Sequence, residues 1–440
     1  MSAPPRSEAP IQWSLLPESA TIAKSGHLVV GGVDLVDLAG EVGTPFFAYD
    51  EEHLRARCRE ADRAWGGLDG HPGAAYAAKA FWCTAMARIV AQEGLGADVA
   101  TGGEMAVALA GGIAPQHITF HGNNKSELEL MAALSAGVGR IVVDSFDEIS
   151  RLEHLLRYGV ASGQRQKVLV RVTPGVEAHT HEFVQTGRED SKFGFSLASG
   201  AAAQAVDSLK ALPGVELAGV HMHIGSQIFL LDAYSKAISA MAAMVGQLSP
   251  TELCIGGGLG VAYVNGESAP SITEWAQSVR DACMSSGIGD GVFLSAEPGR
   301  AIVATAGITC YTVGTVKDLP GIRTYVAVDG GMSDNPRPVL YGSGYEAFLP
   351  REVSASRPCA VRVVGKHCES GDIVVSAAQV PDDIVVGDVI ATPVTGAYGY
   401  SMASNYNKVP RPPVVFCRAG EAKVVVRRET EEDLLRLDQG

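Results

Sequence analysis

Eight short apolar runs, each ending in a polar or glycine-rich cluster, are spaced through residues 74–300 and restrict the fold more than any other feature of the chain. They are residues 74–78, 97–100, 118–120, 141–144, 168–172, 217–224, 253–255 and 292–296. Between most of them lie stretches with helical spacing, Leu128, Met131 and Leu134 among them, so strand and helix alternate as a parallel sheet requires. The layout predicts a (β/α)8 barrel, in which chemistry sits at the carboxyl ends of the strands. The first run ends in Tyr76-Ala-Ala-Lys79-Ala-Phe81, which brings an amine to such an end.

The chain has 440 residues, and a barrel of roughly 250 leaves enough for a second domain. Beyond residue 304 helical spacing gives way to β-rich segments separated by turns, such as 308–316, 324–328, 360–364, 389–392, 414–417 and 422–426. The expected division is a frayed tail over 1–12, strands over 13–45 that pair with the later β segments, the barrel over 46–304, and a mostly antiparallel β domain over 305–440. One connection is abnormally long: about 45 residues separate the fifth and sixth runs, and its first part, residues 174–195, reads as a functional loop over the barrel mouth.

Composition narrows the function. Hydrophobic residues make up 46% and charged residues 19%, enough for a buried core. A formal charge of -14 without a basic block argues against nucleic acid as a partner. No apolar run is long enough to span a membrane. Eight scattered cysteines without a Cys-x-x-Cys pair fit a reducing, cytoplasmic setting.

Several residues at the predicted strand ends each allow two readings. A lysine such as Lys79 on an apolar strand either snorkels to the rim or is a covalent nucleophile. Gly256-Gly257-Gly258-Leu259-Gly260 follows the seventh run, where barrels of this kind hold phosphate on backbone N–H groups, although tight turns need glycine too. Glu297-Pro298-Gly299-Arg300 follows the eighth, and Glu297 either meets a cation inside the barrel, a pyridinium nitrogen being one candidate, or forms a surface pair with Arg300. His221 and His223 lie two apart on the sixth run and share a face. They form a possible metal pair, as do His179 and His181. The alternatives are a barrel-wall role for His221 and stacking on a cofactor ring for His223, with Ser226 donating to a phosphate. In the β region, Cys368-Glu-Ser-Gly-Asp372 and the 396–407 run are generic taken alone, and a cysteine there is more often inert core than catalyst.

Taken together these segments resemble the diaminopimelate decarboxylases, alanine-racemase-like pyridoxal-phosphate enzymes of fold type III. The likeness runs from about residue 45 to 410 and is carried in family order by Tyr76-Ala-Ala-Lys79, His121-Gly-Asn-Asn-Lys-Ser126, His223-Ile-Gly-Ser-Gln227, Gly256-Gly-Gly258, Glu297-Pro-Gly-Arg300, Cys368-Glu-Ser-Gly-Asp372 and residues 396–407. The resemblance implies a barrel plus a β domain in a homodimer with shared active sites, a pyridoxal 5'-phosphate cofactor and no metal. It implies that Lys79 carries the cofactor, that His223 stacks on the ring, and that Glu297 pairs with the pyridine nitrogen. Ser226, Gly256, Gly257, Gly258, Pro298, Gly299, Arg300 and Tyr398 would surround the phosphate. Arg300, Arg337, Tyr341, Glu369 and Tyr398 would contact substrate, and Cys368 would donate a proton or help the donor. The reaction implied is decarboxylation of meso-2,6-diaminopimelate to L-lysine. Phe81 departs from the asparagine of many relatives, with no functional consequence expected.

Four rivals remain. A decarboxylase for ornithine, arginine or a carrier-bound amino acid would keep Lys79 and Glu297 but alter the distal contacts. A racemase would place arginine opposite the pyridine nitrogen. A metal-dependent barrel hydrolase would use the His-x-His pairs, and an inactive binding homologue would not need Lys79, Glu297 and Cys368 together.

Overall fold

The computed structural model describes residues 10–68, 70–158, 165–176, 190–248, 250–289 and 291–440. They form two compact units, one of Arg57–Gly260 with Pro270–Ala301, the other of Met1–Ala56, Val261–Ala269 and Ile302–Gly440.

The first unit is the barrel. Its eight strands are Ala75–Ala77, Gly96–Val99, Ile118–Phe120, Arg140–Val143, Gln166–Thr173, Val215–Met222, Glu252–Cys254 and Phe293–Ser295. Each is hydrogen-bonded in parallel to the next in chain order. The ring closes where Ala74 bridges Ala296 in parallel and Ala77 N–H donates to the Pro298 carbonyl at 3.2 Å. A two-residue strand, Phe195–Ser196, lies along the fifth. The apolar runs are short because such strands are buried on both faces and need no polar alternation. Val142, Leu169, Ala218 and Cys254, from four successive strands, pack as one buried cluster. Register between the fifth and sixth strands slips by one residue at Ala218, next to Gly219. A Cβ on Gly219 would stand 1.8 Å from the Glu252 carbonyl oxygen, so only glycine fits there.

The helices between the strands start and stop on local chemistry. Ser126 with Glu129 and Ser271 with Glu274 form capping boxes, and Gly112 and Gly137 end their helices in the left-handed conformation. The stretch around Leu128, Met131 and Leu134 is a helix, as expected. In helix Glu127–Ala136 the buried stripe is Leu130, Ala133 and Leu134, while Leu128 and Met131 face outward. Spacing of three drifts round a helix of 3.6 residues per turn, so Leu128, Met131 and Leu134 do not share a face.

The second unit holds an eight-stranded, mostly antiparallel sheet. Its path runs Ile373–Val380, Cys359–Val364, Arg323–Val328, Gly307–Leu319, Phe46–Asp50, Val414–Arg418 and Glu421–Val426, with Val389–Pro393 beside Gly307–Leu319. Two pairings in it are parallel, Arg323–Val328 with Cys359–Val364 and Val414–Arg418 with Phe46–Asp50. Phe46–Asp50 is wholly buried and as apolar as a barrel strand. It nevertheless belongs to this sheet, so a barrel beginning at residue 46 starts too early. The segment before it differs from expectation as well. Leu28–Val30 and Val33–Asp34 turn on Gly31-Gly32 into a separate three-stranded sheet with Thr21–Ile22, and Leu35–Val42 is a helix capped by Asp34. Ile11 is buried and Gln12 N–H donates to Asn265 Oδ1 at 3.3 Å, so these two residues are not part of a frayed tail. Among the described residues no helix is long and apolar enough to cross a membrane, and all eight cysteines are free thiols.

Candidate active site at the carboxyl end of the barrel

Lys79 sits not on the first strand but in the single 3-10 turn Ala78–Ala80 that follows it. Its neighbours Tyr76, Ala78, Ala80 and Phe81 are buried, and the Tyr76 hydroxyl donates to the Phe81 carbonyl at 2.9 Å, while Lys79 itself is exposed. The turn is thus an apolar anchor that presents one amine. Phe81 contributes to that anchor.

Glu297 follows the eighth strand and is buried, its N–H held by the Gly256 carbonyl at 2.8 Å. Its carboxylate accepts from His121 Nε2 at 2.6 Å on one oxygen and from His221 Nε2 at 3.0 Å on the other. The Cys254 thiol approaches the first oxygen at 3.4 Å. Burial alone would raise the Glu297 carboxyl, but the two imidazoles outweigh it and hold it well below the usual carboxylate range. Burial would likewise lower His121, yet Glu297 and Asp98, whose Oδ1 lies 3.7 Å away, raise it. His221 goes the other way. Burial pushes it down to about 4, and its Nδ1 is buried without a hydrogen-bond partner. A proton there would be an orphaned N–H costing about 1–3 kcal/mol. Glu297 is therefore no surface partner of Arg300.

Around this core the strand ends converge. Burial raises Asp98, on the second strand, to about 6. The Lys79 charge acts on Asp98, Glu104 and His223, which puts the amine over the same rim. His223 Nδ1 accepts from Gly257 N–H at 3.2 Å, and burial with the Lys79 charge holds its imidazole well below its usual range. Arg300 donates to Ser226 Oγ at 2.9 Å. The glycine turn is tight: a Cβ on Gly258, at φ +109°, would stand 2.3 Å from the Gly225 carbonyl oxygen, and one on Gly257 2.3 Å from that of Glu297.

His121, His221 and Glu297 bring their donor atoms within 4.8 Å of one another, and those atoms are engaged with one another in the hydrogen bonds at 2.6 and 3.0 Å. The His221-x-His223 pair does not converge, because one ring turns to Glu297 and the other to Gly257. His179 and His181, with most of the proposed loop, lie outside the described residues.

In the β unit, Arg337 and Tyr341 bound the short helix Arg337–Tyr341. Arg337 is buried with its guanidinium 4.2 Å from the Tyr263 ring centroid, and it donates to the Tyr345 hydroxyl. Its Nε is buried without a partner. Cys368 and Glu369 are exposed. Their loop is pinned by Asp372, which accepts from Met332 N–H at 2.7 Å and His367 N–H at 2.8 Å, and by Asn407 Oδ1, 3.2 Å from Cys368 N–H. Tyr398 takes a left-handed backbone at φ +58°.

Sequence reasoning gave no role to His121, Asp98, Arg171 or Cys254. Arg171 is buried on the fifth strand, 3.6 Å from Asp144, its guanidinium 4.3 Å from the Phe193 ring centroid. A signal existed for two of them, since Asp98 and Arg171 are charges inside short apolar strands, which burial tolerates only where they have partners.

The chain is similar to known proteins over nearly its whole length. Residues 51–304 match the family described as pyridoxal-dependent decarboxylase, pyridoxal binding domain. The chain is 48% identical to diaminopimelate decarboxylase of Mycobacterium tuberculosis, covering 98% of both chains. It is 43% identical to that of Bacillus subtilis, covering 94% of this chain and 95% of the relative. Among solved structures, diaminopimelate decarboxylase from M. jannaschii in complex with L-lysine superposes with a TM-score of 0.86 at 30% identity, over 96% of this chain and 98% of the other.

Proposed function

Since this chain belongs to the diaminopimelate decarboxylases, within the pyridoxal-dependent decarboxylases, we propose that it removes the carboxylate at one centre of meso-2,6-diaminopimelate to give L-lysine and CO2, the last step of lysine biosynthesis. The observation that carries this reading is Glu297, a buried carboxylate kept ionised at the same strand ends that present Lys79.

The residues fit pyridoxal phosphate. An exposed amine, a buried anion for a ring nitrogen, and a glycine turn too tight for any Cβ stand on neighbouring strand ends. Bound there, the cofactor supplies an electron sink for the pair left when a carboxylate departs from an α-carbon. Lys79 would hold the cofactor through its amine, which is exposed in the turn after the first strand. Glu297 would hold the proton at the ring nitrogen, and His223 would lie against the ring. Ser226, Gly256, Gly257, Gly258, Pro298, Gly299, Arg300 and Tyr398 would surround the phosphate, where backbone N–H groups and a guanidinium suit an anion.

Substrate choice falls to Arg300, Arg337, Tyr341, Tyr398 and Glu369. An arginine fork grips the retained carboxylate in two places, and Glu369 suits an ammonium. Cys368 delivers a proton to the α-carbon or assists its delivery. The protein works as a cytoplasmic homodimer in which each site takes the Cys368 segment from its partner. Sedimentation under assay conditions tests that assembly, and a fully active monomer contradicts it.

The direct test is turnover by purified protein with and without added pyridoxal phosphate. Diaminopimelate should be decarboxylated in a cofactor-dependent way, and ornithine, arginine and lysine should be poor substrates. Ornithine used as well as diaminopimelate would overturn the substrate assignment.

A further inference from the structure

Glu297 has both oxygens occupied by imidazoles, and the two imidazoles are not equivalent. An ionised carboxylate only accepts, so His121 and His221 each present Nε2–H to it, at 2.6 and 3.0 Å. The second nitrogen distinguishes them. His221 Nδ1 is buried without a partner, so a second proton there would have no acceptor, and the ring is neutral. His121, the first residue beyond the third strand, lies between two carboxylates, Glu297 at 2.6 Å and Asp98 at 3.7 Å. Opposite charge on two sides favours the imidazolium.

We propose that His121 is a positioning residue for the reaction, the cation that keeps Glu297 ionised, while His221 supplies only an uncharged N–H that aims the carboxylate. The inference rests on the reading of Glu297 as partner of the ring nitrogen. In a buried site a carboxylate and a pyridinium compete with their neutral forms, because moving the proton from ring to carboxylate abolishes both charges. A cation on the far side of Glu297 opposes that transfer, since it stabilises the carboxylate and not the acid. The proton stays on the ring nitrogen. The groups that set this balance are Glu297, Asp98, His221 and Arg171 around His121, with Cys254 beside Glu297 and Lys79 acting on Asp98. The opposite displacements of the two imidazoles, upward for His121 and down to about 4 for His221, agree with the assignment.

Glutamine offers an N–H at a reach like that of Nε2 but cannot carry a charge, so it separates the two roles. His121→Gln should lower kcat at least about tenfold, roughly 1.4 kcal/mol, with KM little changed, and by clearly more than His221→Gln, which replaces one uncharged N–H by another. A readout independent of turnover is nitrogen NMR of the cofactor-free, histidine-labelled protein at pH 7. There His121 should show two protonated nitrogens and His221 one protonated Nε2 with a bare Nδ1. A neutral His121, a protonated His221, or equal losses in the two glutamine variants would overturn the proposal. The NMR result stands even if His121→Gln fails to fold. If the unmodified protein neither binds pyridoxal phosphate nor consumes diaminopimelate, the functional reading fails while the charge assignment is decided separately by the spectrum.

Discussion

Two of the barrel's buried glutamates, Glu297 at the carboxyl end of its strands and Glu252 near the amino end, have partners that could hardly differ more. Glu252 meets Arg140 Nε at 2.8 Å and Ser295 Oγ at 3.0 Å, whereas Glu297 meets His121 and His221. Burial is similar, 3% exposed against 6%, so burial alone does not mark a functional charge. The donors do. A guanidinium is always charged, and one guanidinium neutralises one carboxylate for good. Two imidazoles, one of them neutral, satisfy both carboxylate oxygens by hydrogen bonds while leaving the group able to meet a further cation. The amino-end pair is a closed structural lock, and the carboxyl-end cluster remains open to chemistry.

The largest effect that could break this contrast lies at the lock. Arg140→Ala leaves Glu252 buried without its counter-charge and should cost about 3–5 kcal/mol in urea unfolding, while whatever remains folded turns over substrate normally. A stability loss below about 1 kcal/mol would show the pair to be dispensable. Next is Glu297→Gln, which keeps shape but removes charge. Turnover should fall at least about tenfold, roughly 1.4 kcal/mol, with cofactor affinity changing less. If turnover holds and the unfolding midpoint drops instead, Glu297 is a lock as well.

The smallest effect is on pH dependence and separates the two ends by sign. At the amino end, burial together with Arg140 pushes His71 down to about 3. The unfolded chain then binds more protons between the usual imidazole value and about 3, so stability falls as pH falls through that window. His71→Gln should flatten the acid limb. His121 is raised, so its contribution is complete below the usual imidazole value and fades as pH rises through the raised one. His121→Gln should flatten the alkaline limb. Stability curves in which both variants flatten the same limb would erase the distinction.

Much of this was legible in the chain, and the part that was not has a physical reason. Strands buried on both faces appear as short apolar runs, so the eight barrel strands could be counted from the sequence, though Phe46–Asp50 is as apolar as they are and belongs to the other sheet. Lys79, Glu297 and the glycine turn stand out because their local sequence is unusual. The clamp on Glu297 does not, because His121 lies 176 residues away in the chain and His221 lies 76, and no local pattern links them. The Arg140–Glu252 lock spans 112 residues and is invisible for the same reason. Lys125 shows the converse danger. It is also a lysine in a quoted motif, yet it is fully buried and donates to Gly122 and Val142 carbonyls at 2.7 and 2.8 Å with Glu148 at 2.7 Å. Its amine is committed to structure, and only the fold distinguishes it from Lys79.

That distinction between two lysines is the most direct test of the whole account. Borohydride reduction of the protein loaded with pyridoxal phosphate, followed by mass spectrometry of its peptides, should place one cofactor on the peptide that contains Lys79 and none on that containing Lys125. The cofactor fixed on any other lysine, or full decarboxylase activity in a Lys79→Ala protein, would contradict the assignment of the carboxyl end of the barrel as the active site.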